Sequence, residues 1–304
     1  MGATLAAVQT ILIAGPTASG KSALALTLAE RLGGVVINAD SMQVYRELHV
    51  LTARPSVADE ARAPHRLYGH VPAAEAYSAG RFATEVAHVI AAAKTDRRLP
   101  IIVGGTGLYF KTLLEGLSPI PAIPEDVRQR WRKEAEAIGA EELHKQLSSR
   151  DPEMAARLMP SDPQRITRAL EVLDATGRSL ARWQEEPGTP ILTATGTVRL
   201  VADVAREELN RRCNARFDAM MDGGALDEVR LLAMMGLKEN LPAMRALGVR
   251  PLMQLLRGEI GRDAAVEAAK SETRQYVKRQ LTWLNSNMSA WRRLSTKEME
   301  SYML

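Results

Sequence analysis

Residues 9–22 read Gln9-Thr10-Ile11-Leu12-Ile13-Ala14-Gly15-Pro16-Thr17-Ala18-Ser19-Gly20-Lys21-Ser22, and the order of these residues decides the fold. The apolar run to Ala14 has the length and composition of a buried strand. Gly15 to Gly20 is a turn-forming loop. From Lys21 to Leu32, Leu24, Leu28 and Leu32 fall on one helical face, and Gly33-Gly34 ends the helix. The loop matches G-x-x-x-x-G-K-[ST], in which glycines let backbone N–H groups turn inward around a phosphate. Lys21 adds a cation, the helix N-terminus adds its positive end, and Ser22 offers a hydroxyl to Mg²⁺. A polyphosphate is therefore expected at Gly15, Pro16, Thr17, Ala18, Ser19, Gly20, Lys21 and Ser22. The motif specifies polyphosphate, not ATP.

Working outward, Val35–Ala39 reads as a second buried strand ending at Asp40, and residues 46–79 read mostly as loop. Phe82, Val86, Val89, Ile90 and Ala93 mark a helix. Pro100–Val103 is a third strand, closed by Gly104-Gly105-Thr106-Gly107. Apolar strands alternating with helices predict an α/β fold, a parallel sheet core flanked by helices. Pro119, Pro121 and Pro124 then form a stiff connector, and Glu125 to about Glu186 reads as helix throughout. Asp151-Pro152 and Asp162-Pro163 each place an N-cap before a proline at the first helical position, and Gly139 and Gly177 sit where helices stop. Val198–Ala202 returns to strand, and Arg206 to about Trp283 is helical. The expected organisation is a core of residues 1–117 and 191–304, interrupted by an all-helical insertion over 118–190.

In 304 residues, 46% hydrophobic and 25% charged is the balance of an ordinary globular protein and excludes a disordered or collagen-like chain. Forty basic against 36 acidic residues give +4, too small a surplus to announce nucleic-acid binding. The one cysteine, Cys213, excludes an intrachain disulfide and a zinc finger, and suits a reducing, cytoplasmic compartment. No apolar run approaches a membrane span. The N-terminus lacks a secretory signal, and Ala6 stands where a myristoylation signal needs Ser or Thr. The five histidines show no metal-ligand spacing.

Asp40 ends a strand whose C-terminus opens into the ligand crevice of such sheets. There it can be a magnesium ligand, a general base or the cap of a turn. Thr106 ends the third strand on the same side, among small residues that permit close backbone approach. A Walker B acid is absent from that strand, which argues against an ordinary NTPase. On the helix from Arg206, Leu209, Cys213, Phe217 and Met220 form the apolar stripe, and Arg216 falls near its centre. An inward guanidinium needs an anion, either a buried carboxylate or a ligand phosphate. Arg165 and Arg168 lie at the positive end of the helix capped by Asp162, where an external phosphate would explain them; solvated arginines are the alternative. Arg274, Lys278 and Arg279 are a solvated face or a phosphate contact, and Trp283 reads as core.

Together these residues resemble the tRNA dimethylallyltransferase family, the tRNA isopentenyltransferases. The resemblance rests on the phosphate loop Gly15–Ser22, Asp40-Ser41-Met42-Gln43-Val44-Tyr45, Thr52-Ala53-Arg54-Pro55, Gly104-Gly105-Thr106-Gly107-Leu108-Tyr109-Phe110, and Asp162-Pro163-Gln164-Arg165 with Arg168-Ala169-Leu170-Glu171-Val172. Thr273-Arg274-Gln275, Lys278-Arg279-Gln280 and Thr282-Trp283 complete the set, in the family's order and over almost the whole chain. The resemblance implies a P-loop NTPase-like core whose loop holds the diphosphate of dimethylallyl diphosphate. It implies transfer of the dimethylallyl group to the exocyclic amine of the adenine 3′-adjacent to the anticodon, with Mg²⁺ as cofactor. Asp40 matches the general base, Thr106 a hydroxyl that holds the target amine, and Lys21 and Arg216 diphosphate contacts. Asp40, Ser41, Met42, Gln43, Thr106, Arg128, Gln164, Arg165, Ile166, Thr167 and Arg168 match positions that meet the tRNA anticodon stem-loop, and a monomer is expected. The sequence departs from the family at His65-Arg66, where paired histidines are frequent, at Arg54, where lysine is common, and at Val249, where an aromatic is common. A small-molecule P-loop kinase, a prenyltransferase acting on free AMP and a non-catalytic RNA-binding protein are the competing readings.

Overall fold

Six strands form one wholly parallel sheet in the computed structural model, which describes residues 8–303. They are β1 (Thr10–Ala14), β2 (Gly34–Asn38), β3 (His65–Arg66), β4 (Leu99–Gly104), β5 (Thr197–Asp203) and β6 (Arg292–Ser295), in the spatial order β3-β2-β4-β1-β5-β6. All five residues of β1 and of β2 are buried, which is why both read as unbroken apolar runs. Their side chains alternate between two cores. Ile11, Ile13, Val36, Ile101 and Val103 pack on one face, with Leu24 of α1 (Lys21–Leu32). Leu12, Ile37 and Ile102 pack on the other, with Phe82 of α3 (Ala79–Thr95) and Phe110 of α4 (Gly107–Glu115).

Residues 46–79 hold more than the expected loop. They form α2 (Val57–Arg62), opened by a capping box between Ser56 and Asp59, and the edge strand β3. The stretch around them is well packed, with Tyr45 and Leu48 wholly buried. Beyond β5 come α9 (Arg206–Asp222), α10 (Ala225–Met234), a 3₁₀ turn, α11 (Val249–Leu256), the long α12 (Arg262–Asn287), β6 and α13 (Thr296–Met303). β6 was not expected. It is an edge strand with only Leu294 buried, so it carries too little apolar pattern to be seen locally.

The chain divides into two compact units, one spanning Glu115–Pro190 and the other made of the chain on both sides of it. The smaller unit holds α5 (Glu125–Arg150), α6 (Pro152–Arg157), α7 (Pro163–Thr176) and α8 (Leu180–Gln184). Trp131, Leu143, Leu147, Ile166 and Leu170 form its own core. Asp151 and Asp162 cap α6 and α7 through Met154 N–H and Arg165 N–H, as their place before proline requires. Gly139 lies at φ 78°, ψ 173° and divides α5 into two helical pieces. Among the described residues no helix is long and apolar enough to cross a membrane. The N-terminal residues read for targeting signals lie outside those described.

Candidate active site

The phosphate loop leaves β1 at the C-terminal edge of the sheet and enters α1. Ala18 at φ 63° and Gly20 at φ 89° turn the chain, the first a conformation that stores roughly 1–3 kcal/mol of strain. Gly15 N–H donates to Gly104 O at 3.3 Å, tying the loop to the end of β4. Lys21 Nζ donates to Pro16 O at 3.1 Å. Burial lowers the Lys21 ammonium to about 8, against an upward pull from Asp40. Arg216 of α9 lies nearby: burial lowers its guanidinium as well, and Cys213 and Asp40 oppose that. Neither cation makes an ion pair among the described residues, and the Asp40 carboxylate charge acts on both. Ser19 Oγ is buried without a hydrogen-bond partner, and Ser22 is exposed in the first turn of α1.

Asp40 follows β2 and has two uses for its carboxylate. Oδ1 accepts the Met42 N–H at 2.9 Å, which makes the cap reading correct for one oxygen. Oδ2 has no hydrogen-bond partner among the described residues and lies beside Gly105. Buried Asn38 sets this turn. Its Oδ1 accepts Asp40 N–H at 2.8 Å, and its Nδ2 donates to the carbonyls of Asp40 and Leu67, each at 3.0 Å. Thr106 Oγ1 accepts Ser41 N–H at 3.0 Å and donates to Ser41 Oγ at 3.3 Å. The Asp40 charge reaches Tyr68, Tyr109 and Tyr276. Burial first, and the Asp40 charge second, push all three phenols up, so they stay protonated at neutral pH. The Asp40 charge thus acts on two cations without ion pairs and on three phenols.

The glycines that end β4 and follow it are packed too closely for a side chain. A Cβ on Gly104 would lie 2.0 Å from Ala39 O, one on Gly105 2.3 Å from Gln280 Nε2, and one on Gly107 2.2 Å from the Trp283 ring. Gln280, quoted in a motif but not read as a site residue, is buried on α12 and reaches both loops. Its signal was available: Ala269, Thr273, Val277, Gln280 and Leu284 form the buried stripe of α12, and a glutamine on such a stripe needs partners. Asn38, a polar residue inside an apolar strand, was legible in the same way.

The remaining candidates divide between the two units. Ser41 and Met42 belong to the Asp40 turn. Gln43 Nε2 donates to Thr52 O and Ala53 O, at 2.8 and 3.1 Å, and so serves its own loop. Arg128, Gln164, Arg165, Ile166, Thr167 and Arg168 lie in the helical unit. Ile166 and Thr167 are buried in that unit's interior, because α7 turns this face inward, which removes their side chains from an outer surface. Arg165 is exposed and pairs with its own cap, Asp162, at 3.3 Å; Arg168 pairs with buried Glu171 at 3.4 Å. Both pairs neutralise the unfavourable helix end locally, so an external phosphate is not required to explain them. Arg128 Nε is buried and unpartnered.

No group of three or more His, Cys, Asp or Glu side chains among the described residues is placed to hold a metal ion. The exposed Ser22 hydroxyl fits a magnesium ion that takes most of its ligands from phosphate oxygens and water.

A model of the family described as IPP transferase matches residues 43–287. The tRNA dimethylallyltransferase of Azorhizobium caulinodans is 53% identical, over 93% of this chain and 91% of that protein. A tRNA delta(2)-isopentenylpyrophosphate transferase of Staphylococcus epidermidis superposes with a TM-score of 0.66 at 33% identity, over 95% of this chain and 93% of that one. A eukaryotic dimethylallyltransferase solved acting on tRNA superposes with a TM-score of 0.80 at 28% identity, over 95% of this chain and 74% of that one.

Proposed function

This chain belongs to the IPP transferase family, and on that premise we propose that it transfers a dimethylallyl group from dimethylallyl diphosphate to tRNA, at the exocyclic amine of the adenine 3′-adjacent to the anticodon. The observation that carries the reading is the pair of cations without ion pairs among the described residues, Lys21 and Arg216, both acted on by the charge of Asp40, with no acidic residue at the end of β4. A nucleotide kinase has little use for that combination; a diphosphate leaving group beside a nucleophile that must lose a proton needs all of it.

The proposed reaction is a displacement. The adenine nitrogen bonds to the allylic carbon, the bond from that carbon to the diphosphate oxygen breaks, and the proton on nitrogen passes to Asp40 Oδ2. The phosphate-loop N–H groups, Lys21 and Arg216 take up the negative charge that grows on the leaving diphosphate. Magnesium, when bound at Ser22, supplies further neutralisation of that charge. Tyr68, Tyr109 and Tyr276 give the allyl group and the base an aromatic, poorly hydrated surround. The target base must leave its stack to reach Asp40, so base flipping belongs to the proposal. Arg128, Gln164, Arg165 and Arg168 of the helical unit are proposed to meet the anticodon stem-loop, and the enzyme to work as a cytoplasmic monomer.

Incubation with labelled dimethylallyl diphosphate, magnesium and either unmodified tRNA or AMP tests the reading. Label in tRNA and not in AMP is expected. Label in AMP alone would move the activity to the free nucleotide, and ADP formation from ATP without prenyl transfer would favour the kinase.

A further inference from the structure

α12 inserts one buried amide between the two loops of the site. Gln280 Oε1 accepts the Thr17 N–H at 2.9 Å, and its Nε2 donates to Gly105 O at 3.1 Å. Thr17 belongs to the phosphate loop. Gly105 begins the turn whose next residue, Thr106, is hydrogen-bonded to Ser41, and Ser41 follows Asp40. A continuous path of hydrogen bonds and peptide units therefore runs from the diphosphate cradle through Gln280 to the carboxylate. Both ends of the amide are used: one must accept and the other donate, which an ionised carboxylate cannot do. The bridge also consumes a loop N–H that would otherwise be free to face a phosphate oxygen.

We propose that Gln280 is a positioning residue that sets the distance between the donor's diphosphate and the base Asp40 by tying the phosphate loop to the Gly105–Thr106 turn. The proposal rests on the prenyl-transfer reading of the site. Displacement needs the allylic carbon, the incoming nitrogen and the proton acceptor in one fixed arrangement, and small misplacements are expensive in rate. Diphosphate binding needs only the loop itself. Loss of the bridge should therefore appear in turnover and not in donor affinity.

Gln280→Met keeps the volume and the apolar contacts of the buried site and removes both hydrogen bonds. Its single-turnover rate with saturating donor and tRNA is expected to fall roughly 10- to 100-fold. Its affinity for inorganic diphosphate should stay within about threefold of wild type or rise, because the Thr17 N–H is released. Gln280→Glu places a second acceptor against Gly105 O. Its rate relative to wild type should recover as pH falls from 8 to 6, when the buried carboxyl gains the proton that restores a donor. A double-mutant cycle with Thr106→Val should be less than multiplicative, since both changes act through one turn. An unchanged turnover in Gln280→Met, fully multiplicative effects in the cycle, or a more than tenfold loss of diphosphate affinity would overturn the proposal, the last by making Gln280 a mere prop for the loop. If wild type itself transfers no prenyl group, the functional reading fails, and diphosphate titration still decides whether the bridge supports binding.

Discussion

Lys21 carries its charge under strain. Its folded value of about 8 lies below the ordinary 10.5, so the unfolded chain binds more protons between those values. Its contribution to stability accordingly rises with pH through that window, and its buried charge weighs against the fold below it. The functional consequence has the opposite sign. Above about pH 8 the free enzyme loses the Lys21 proton, so donor affinity should fall by up to about tenfold per pH unit. Titration of dimethylallyl diphosphate across pH 6.5–9.5 should show this break in wild type and lose it in Lys21→Arg, whose charge persists. For Asp40→Asn we expect a loss of two to four orders of magnitude, roughly, in the single-turnover rate, with tRNA affinity largely retained. The fold should hold because the amide oxygen can still accept the Met42 N–H. A near-wild-type rate would leave Asp40 as a turn cap alone.

Elements impose their own constraints. α12 lies so close to the start of α4 that Gly107→Ala would drive a methyl into the Trp283 ring, and a destabilisation of about 1–3 kcal/mol is expected from chemical denaturation. Gly80→Ala in α3 would meet only Ser78 Oγ, at an ordinary 3.8 Å, and should be neutral or stabilising by about 0.5–1 kcal/mol, which makes it the control. On α7 the two arginines separate. Arg165→Ala removes an exposed side chain paired only with its cap and should leave stability within about 0.5 kcal/mol of wild type. Arg168→Ala uncovers buried Glu171 and should lower stability by about 1–3 kcal/mol, contrary to the expectation from the helix dipole alone. If Arg165 also reaches a tRNA phosphate, its removal flattens the plot of log affinity against log salt by up to about one unit; parallel lines would exclude that contact.

At the scale of the whole molecule, the two units rest on separate cores. Asp174 organises the helical one. Its carboxylate pairs with Arg130 and with Arg150, at 2.6 Å for the latter, and accepts the Trp131 indole N–H at 3.1 Å. Both guanidinium groups also lie over the Trp131 ring. Asp174→Ala leaves the buried indole donor unpaired and two arginines without their anion, a loss of about 2–3 kcal/mol. Hydrogen exchange should report faster opening across α5 and α7, with β1, β4 and α1 unchanged. Equal acceleration in both units would mean that they unfold as one.

What the sequence determined by itself was local. The strand, loop and helix from Thr10 to Leu32, the capped starts of α6 and α7, and the inward placement of Arg216 all depend on residues within a few positions of one another. Periodicity and capping chemistry therefore displayed them directly. The tertiary structure decided what depends on register between distant segments. β6 exists because an edge of the sheet lies beside Arg292–Ser295, not because four weakly patterned residues demand a strand. The glycines at 105 and 107 are set by side chains of α12, and the Thr17–Gln280 hydrogen bond joins residues 263 positions apart. That the side chains of Ile166 and Thr167 turn inward was likewise decided by packing. A hydrogen bond across that span leaves no periodic trace in either partner's neighbourhood, so only the folded backbone, which fixes the distance between the loops, could disclose it.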